Sequence, residues 1–317
     1  MKEFGGYFEL ELNDYEHFHK NALKLNSARN CFELILKQKR ISKLYIPFYT
    51  CKSILEPVIK LNIDYEFYHI NNDFEIVSCP NLEDNERILY TNYYGLKSIY
   101  IKTLADKFKD KLIVDNSQAF FDLPIENIDT FYSPRKFFGV PDGGYCYVQT
   151  NKEIKFKQDF SEDRIYPHIH RIEKDASSGL ELFREKEKGI ANQPIRKMSA
   201  LTDRLLANID YKRVIMKRKK NYLFLSNEFD SINLLSSKYH QNSVPMIYPL
   251  YIDNYSLRDK LINNHIYIPT YWPNVLEWCD NSDTEYKFAQ NLIALPIDQR
   301  YTLKDMKKIT SIVKNLL

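Results

Sequence analysis

DTFYSPRKFFGVPDGGYCYV, residues 129–148, sets one lysine, Lys136, among aromatic rings and follows it with three of the chain's eight glycines. In so glycine-poor a chain, Gly139, Gly143 and Gly144 point to backbone that turns with positive φ or approaches a ligand closely. Taken alone, a loop and a hairpin turn account for the stretch equally well. Phe131, Tyr132, Phe137 and Phe138 would desolvate the Lys136 amine and favour its uncharged form, the one that attacks an aldehyde or shuttles a proton.

Working back from Lys136, DTFYS reads as a strand, and KLIVDNSQAF before it as an apolar strand ending in Asp115, with Gln118 one helical turn later. A carboxylate at a strand tip would stand at the edge where α/β sheets bind their ligands. In enzymes that use pyridoxal 5'-phosphate, an acidic residue pairs with the protonated ring nitrogen and a lysine holds the aldehyde. Asp115 and Lys136 provide both. Separately, Lys136 reads as a loop lysine and Asp115 as a helix cap; the pairing favours the chemical reading. A phosphate would need its own site. NSARNCFELIL puts Asn26, Ser27, Ala28 and Arg29 at the start of an amphipathic helix, whose free N–H groups and dipole favour an anion. Ordinary N-capping by Asn26 or Ser27 is compatible with that.

The rest of the first two thirds alternates in the same way. ARNCFELILKQK and TCKSILEPVIKL read as helices, while KLYIP, YEFYHI, RILYT and GYCYVQ read as strands. Parallel strands crossed by helices imply an α/β fold with a mostly parallel central sheet. Beyond residue 151 the pattern loosens. SALTDRLLANIDYKRVIMKRKKNYLFLSNEF reads as one long helical stretch bridging two parts, and PMIYPLYI, SLRDKLINN, HIYIP, NLIALPI and TLKDMKKITSIVKNLL suit a small α+β domain. The expected division is a large domain over 1–210 and a small one over 211–317.

A length of 317 residues, 44% hydrophobic and 27% charged with net charge +3, describes a globular chain with no call for a nucleic-acid surface. The acidic start lacks the apolar core of a signal peptide and no run is apolar enough to span a bilayer, so the expected location is cytoplasmic, without a membrane. Five scattered cysteines suggest neither a zinc ribbon nor a disulfide framework. No Gly-x-Gly-x-x-Gly, Walker loop, His-Glu-x-x-His or Gly-x-Ser-x-Gly occurs. HIH could set His168 and His170 on one strand face as metal ligands, but no third ligand accompanies them, and no metal is expected. Arg171, Lys174, Arg184, Arg196 and Lys197 could grip a diphosphate, though such a run is commonly a solvated helix face. Tyr271 and Trp272 in PTYWPN could wall a sugar or base, or pack a loop.

These segments resemble the DegT/DnrJ/StrS sugar aminotransferases, fold type I enzymes of the aspartate aminotransferase superfamily. NSARNCFELIL is similar to the family's Asn/Ser-Ser-Gly-Thr helix start, and LYIPFYTCKSILEPVIKLNIDYEFYHI to its strand-helix-strand. IVDNSQA is similar to its Glu-Asp-Ala-Ala-Gln/His segment, and YSPRKFFGVPDGG to its lysine segment. IYPLYI and LIALPIDQRYTLKDMKKITSIV carry a weaker likeness to the small domain, while residues 151–240 match poorly. The resemblance implies Lys136 as the Schiff-base lysine, Asp115 as the partner of the pyridine nitrogen and Gln118 as a contact to the ring oxygen. Phe131 stands where the family has a phosphate-binding Ser, and Arg29 where it has Thr or Ser, so Ser27, Ala28, Arg29 and Ser133 are the expected phosphate contacts. The position of the stacking aromatic falls on Cys51, leaving Tyr49, or Tyr93, to stack. The implied activity is amino transfer from an amino acid, glutamate, to a nucleotide-linked keto-sugar for bacterial surface polysaccharide or deoxyaminosugar biosynthesis, by a homodimer with active sites at the interface. A relative that removes a sugar hydroxyl would carry His in place of Lys136. The altered phosphate positions keep open a catalytically silent module that binds a nucleotide-sugar or a protein.

Overall fold

The computed structural model describes residues 4–149, 155–235 and 239–317. Seven strands form the central sheet: β1 (Leu23–Leu25), β2 (Lys43–Pro47), β3 (Asp64–Tyr68), β4 (Glu86–Thr91), β5 (Leu112–Asp115), β6 (Asp129–Tyr132) and β7 (Gly144–Tyr147). Their spatial order is β1-β7-β6-β5-β4-β2-β3. Strands β2 to β6 pair in parallel, whereas β7 runs antiparallel to both β6 and β1. The connection from β6 to β7 carries Lys136 and holds only a 3-10 turn, too little for the crossover that a parallel return requires. GYCYVQ is therefore a strand as expected, but of opposite direction. The three-residue β1 carries too short a pattern to be read from sequence.

Helices α1 (Ala28–Lys39), α2 (Leu55–Lys60) and α3 (Ser98–Phe108) lie between these strands. Strand residues alternate between two apolar layers. Leu44, Ile46, Ile113, Phe131 and Cys146 join Phe32 and Ile35 of α1 in one. Tyr45, Leu112, Val114, Tyr132 and Tyr145 enter the other, which continues without a break into the C-terminal part.

After the sheet come α4 (Tyr166–Glu173), α5 (Leu180–Lys188), α6 (Ala200–Ala207) and α7 (Tyr211–Phe229). The long helical stretch expected here is two helices. Asp210 ends the continuity because its side chain accepts from Arg213 N at 2.9 Å and starts α7 as an N-cap. The C-terminal part contains β8 (Ile247–Tyr251), α8 (Leu257–Asn263), α9 (Val275–Trp278), α10 (Thr284–Asn291), β9 (Leu292–Pro296) and α11 (Leu303–Leu316), with β8 and β9 antiparallel. HIYIP alternates buried Ile266 and Ile268 with exposed Tyr267 but belongs to neither sheet.

His168 and His170 are on α4 rather than a strand. Two residues apart on a helix they diverge by roughly 200°, so they cannot share a metal. His168 meets Phe183 edge-on at 6.0 Å and His170 bonds Ser178 Oγ at 3.0 Å. Among the described residues, no group of three His, Cys, Asp or Glu side chains is placed to hold a metal ion, and no helix is long and apolar enough to cross a membrane. The described cysteines are all free.

Gly144 is where the glycines of the lysine segment matter most. A Cβ there would lie 2.5 Å from the Ser27 carbonyl oxygen and 2.6 Å from the Ala28 nitrogen, backbone atoms at the head of α1 that cannot swing aside. Gly143, at φ +110°, supplies the turn. Gly144→Ala is expected to destabilise by roughly 1–3 kcal/mol through overpacking and to push β7 away from α1. Thermal unfolding of the purified variant measures it, and an unchanged midpoint would contradict this packing.

Candidate active site

Lys136 ends the 3-10 turn Pro134–Lys136 that follows β6. Pro134 starts the turn with its φ already fixed, and the amides of Phe137 and Phe138 both donate to its carbonyl at 2.9 Å. Two distant side chains hold the turn. Gln299 Nε2 donates to the Phe137 carbonyl at 2.8 Å. Arg218, 1% exposed, donates to Gln299 Oε1 at 3.0 Å and lies 4.6 Å over the Phe137 ring. Beyond the turn, Asp142 is fully buried and accepts from Ser199 N at 3.1 Å and Ser199 Oγ at 2.9 Å, tying the glycines to the cap of α6.

The aromatic neighbours do not wall the amine as expected. Lys136 is exposed, because the rings around it in sequence point into the two apolar layers. Phe131 lies 5.2 Å from Phe32 of α1. Tyr132 is fully buried, and Phe137 and Phe138 pack with Phe120 and Phe121.

Asp115 is at the carboxyl end of β5, in register with Thr91 of β4 and Phe131 of β6. It is 6% exposed and accepts from Ser117 N at 2.8 Å. Burial pushes its carboxyl above the usual carboxylate range, while the charge of Lys136 and the bond from Ser117 pull it back. Lys136 lies in the turn that follows β6, the strand paired in parallel with β5, so the two residues come from the same end of neighbouring strands. Gln118, fully buried, accepts from Tyr94 N at 3.0 Å and leaves Nε2 with no partner among the described residues.

At the head of α1, Ser27 is the N-cap and accepts from Asn30 N at 3.0 Å. Its O–H and the dipole of a twelve-residue helix remain for an anion. Ala28 begins the helix beside Gly144. Asn26 is structural: Oδ1 accepts from Asn30 Nδ2 at 2.7 Å and Nδ2 donates to the Pro194 carbonyl at 3.1 Å. Arg29 is engaged rather than free, 2.9 Å from Glu56 Oε2 and donating to the Ile190 carbonyl at 3.2 Å. Ser133, 8% exposed, precedes the lysine turn.

Tyr49 and Tyr93, expected to stack on a ligand ring, are claimed by the aromatic core instead. Both are fully buried and stack on each other at 5.7 Å. Trp272 meets Tyr49 edge-on at 4.8 Å, so it packs a loop. Arg196 pairs with Asp159 at 3.3 Å. Lys174, Arg184 and Lys197 are exposed, as on a solvated face, while Arg171 lines a cavity. Sequence reading missed Arg135, beside the lysine. It is half-buried, ion-paired with Glu187 and its pKa is lowered to about 10 by burial, and its Nε has no partner among the described residues. Its adjacency to Lys136 was the available signal. Arg218 and Gln299 gave none, since their partners lie far away in sequence.

No protein-family model matches the sequence and no curated protein matches it. Solved structures share its architecture. The sugar aminotransferase CalS13 from Micromonospora echinospora aligns with a TM-score of 0.65 over 93% of this chain and 87% of its own, at 11% identity. NtdA from Bacillus subtilis, solved with the cofactor PMP bound, aligns at 0.65 over 93% and 73%, at 13% identity. PseC from Helicobacter pylori, an aminotransferase involved in the biosynthesis of pseudoaminic acid, aligns at 0.63 over 93% and 86%, at 13% identity. At these identities the likeness establishes the fold: the α/β architecture with a mostly parallel central sheet expected from the sequence holds.

The donor set suits pyridoxal phosphate. A buried carboxylate can accept from a ring N–H, Gln118 Nε2, unpartnered among the described residues, can donate to a ring oxygen, an amine follows the neighbouring strand, and a helix N-terminus with a hydroxyl can take the phosphate.

Proposed function

We propose that the chain is a pyridoxal phosphate-dependent aminotransferase moving an amino group from an amino-acid donor, glutamate, to the ketone of a nucleotide-linked sugar in the cytoplasm, for polysaccharide or deoxyaminosugar biosynthesis. The observation that supports this reading is buried Asp115 at the tip of β5, beside β6, the strand that runs into the turn carrying Lys136. We divide the chain into a cofactor-binding domain over 1–210 and a small domain over 211–317.

When bound, the cofactor supplies an aldehyde to carry the amino group and a ring to accept electrons. Lys136 would hold the aldehyde carbon and, once the donor has taken its place, its free amine would carry the proton between the donor's α-carbon and that same aldehyde carbon, on the other side of the nitrogen. Asp115 holds a proton on the ring nitrogen. Gln118 Nε2 orients the ring through its oxygen. Ser27, Ala28 and the dipole of α1 hold the phosphate, with Ser133 beside the lysine turn and the Arg29 charge, shared with Glu56, in the first turn.

Homodimerisation follows from the same reading, with active sites at the interface. Large apolar side chains stand in solvent: Phe4, Tyr7 and Phe8 at 86–98% exposure, and Ile172 of α4 at 82%.

A second reading is a silent module that keeps the fold and binds a nucleotide-sugar or protein. It is favoured by Phe131, whose ring is packed on Phe32 where a hydroxyl would serve a phosphate, and by Arg29 being held by Glu56. Absorbance separates the two. Purified protein given pyridoxal phosphate is expected to gain a visible band that bleaches with glutamate. Protein that gains no band supports the silent module.

A further inference from the structure

A cavity of about 520 Å³ lies in the C-terminal part, between the chain leaving β8 and α10. Its volume is within the range of small-ligand sites, and none of the residues assigned above to the cofactor lines it. Two short patterns build its walls. Tyr251, Asp253 and Tyr255 alternate along the chain as it leaves β8, while Ile252 between the first two is buried in the core. On α10, Tyr286 and Gln290 are spaced four apart, as are Lys287 and Asn291 beside them, so all four share one side of the helix.

The two walls are fixed against each other. Tyr251 is in register with Leu292, the residue after Asn291, and its ring meets Phe288 of α10 edge-on at 5.2 Å. Arg258 of α8 donates to the carbonyls of Gln290 at 3.1 Å and Leu292 at 2.9 Å, which secures the end of α10. The polar groups in this frame are largely unused. Asn291 is 4% exposed, yet its Oδ1 has no partner among the described residues and its Nδ2 reaches Asp253 Oδ1 only at 3.5 Å. A buried amide paired so poorly is unfavourable unless another group completes it. The side chains of Tyr286, Lys287 and Gln290 have no hydrogen-bond or ion-pair partner among the described residues either.

The lining selects a chemical class. Asp253 and Lys287 are its charged groups and they cancel, which leaves no net field to attract a polyphosphate or an organic cation. Asp253, Gln290 and Asn291 end in planar groups that each offer two neighbouring polar atoms, a match for adjacent hydroxyls, which both donate and accept. Tyrosine rings add flat apolar faces with a polar tip, against which the C–H face of a pyranose can lie. Tyr255 is 64% exposed and open to such a contact.

We propose that this cavity binds a neutral saccharide, with tyrosine rings against the sugar face and Asp253, Gln290 and Asn291 on its hydroxyls. The site neither uses the lysine turn nor rests on the aminotransferase reading. Its test is ligand-observed saturation-transfer NMR on the full chain with the methyl glycosides of glucose, galactose, N-acetylglucosamine and rhamnose, each with and without pyridoxal phosphate. Saturable binding of at least one is expected, unchanged by the cofactor. Tyr255→Ala and Asp253→Ala should each bind it about tenfold or more weakly, a loss of about 1.4 kcal/mol, with unchanged melting temperatures because both residues are exposed. Lys287→Ala should bind as the parent does, and putrescine and pyrophosphate, the charged controls, should not compete. Absence of saturable binding by all four glycosides overturns the proposal. So do alanine variants that bind like the parent, displacement by the cofactor, or competition by either charged control. Failure here leaves the aminotransferase reading standing, and a missing cofactor band leaves this inference standing.

Discussion

Lys136→Ala is expected to lower amino transfer by roughly 10⁴-fold, the upper end of what one positioned acid/base contributes, because tether and proton carrier leave together. The fold should not notice. Lys136 is exposed and the turn beneath it is held by other groups, Pro134, Gln299 and Arg218, so the change in stability belongs to the surface class, within about 0.5 kcal/mol. Parallel turnover and thermal-melting measurements check both halves. A variant as active as the parent would exclude the assigned role. One that lost activity by unfolding would show that the side chain is structural.

Asp115→Asn is expected to move activity and stability in opposite directions. Turnover should fall by roughly 10²–10³-fold, the usual loss when one preorganised electrostatic partner is removed, since a neutral amide holds a proton on the ring nitrogen poorly. The cofactor-free protein should become more stable at neutral pH. Burial raises the folded-state affinity of Asp115 for its proton more than Lys136 and Ser117 lower it. Folding therefore binds the proton more tightly, and stability is lost as pH rises from the unfolded value through the folded one. The substitution removes that cost while its side-chain oxygen can still accept from Ser117. Melting curves across pH should show the variant's advantage at neutral pH and its disappearance toward acid. An advantage that grew toward acid would reverse the sign and contradict the argument. Stability surrendered at a working site is a common trade.

How much of this was legible in the sequence follows from which interactions are local. Strands β2, β4 and β5 read correctly because strands buried on both faces are short apolar runs wherever they occur. Asp115 was visible because a polar residue ending such a run marks a sheet edge. Lys136 was visible because its turn is written in Pro134 and the glycines that follow. What failed depended on direction or distance. The four rings around Lys136 were read as a greasy wall, yet strand alternation sends Phe131 and Tyr132 to opposite faces, and the turn sends Phe137 and Phe138 into the core. Tyr49 looked free to stack because nothing local announces Tyr93 and Trp272 around it. HIH satisfies a strand pattern and a helix pattern alike, and only the turn geometry of α4 decides between them. The cavity that Arg171 of α4 lines also holds Arg300 and Lys308 from near the C-terminus, a juxtaposition made by the fold alone.

The central claim is that Lys136 forms a covalent link to pyridoxal phosphate, and it can be trapped directly. The protein is incubated with the cofactor, reduced with borohydride, digested and mapped by mass spectrometry. The phosphopyridoxyl group is predicted on the peptide containing Lys136 and, at limiting cofactor, on no other lysine. An unmodified Lys136, or label scattered over surface lysines, would contradict it.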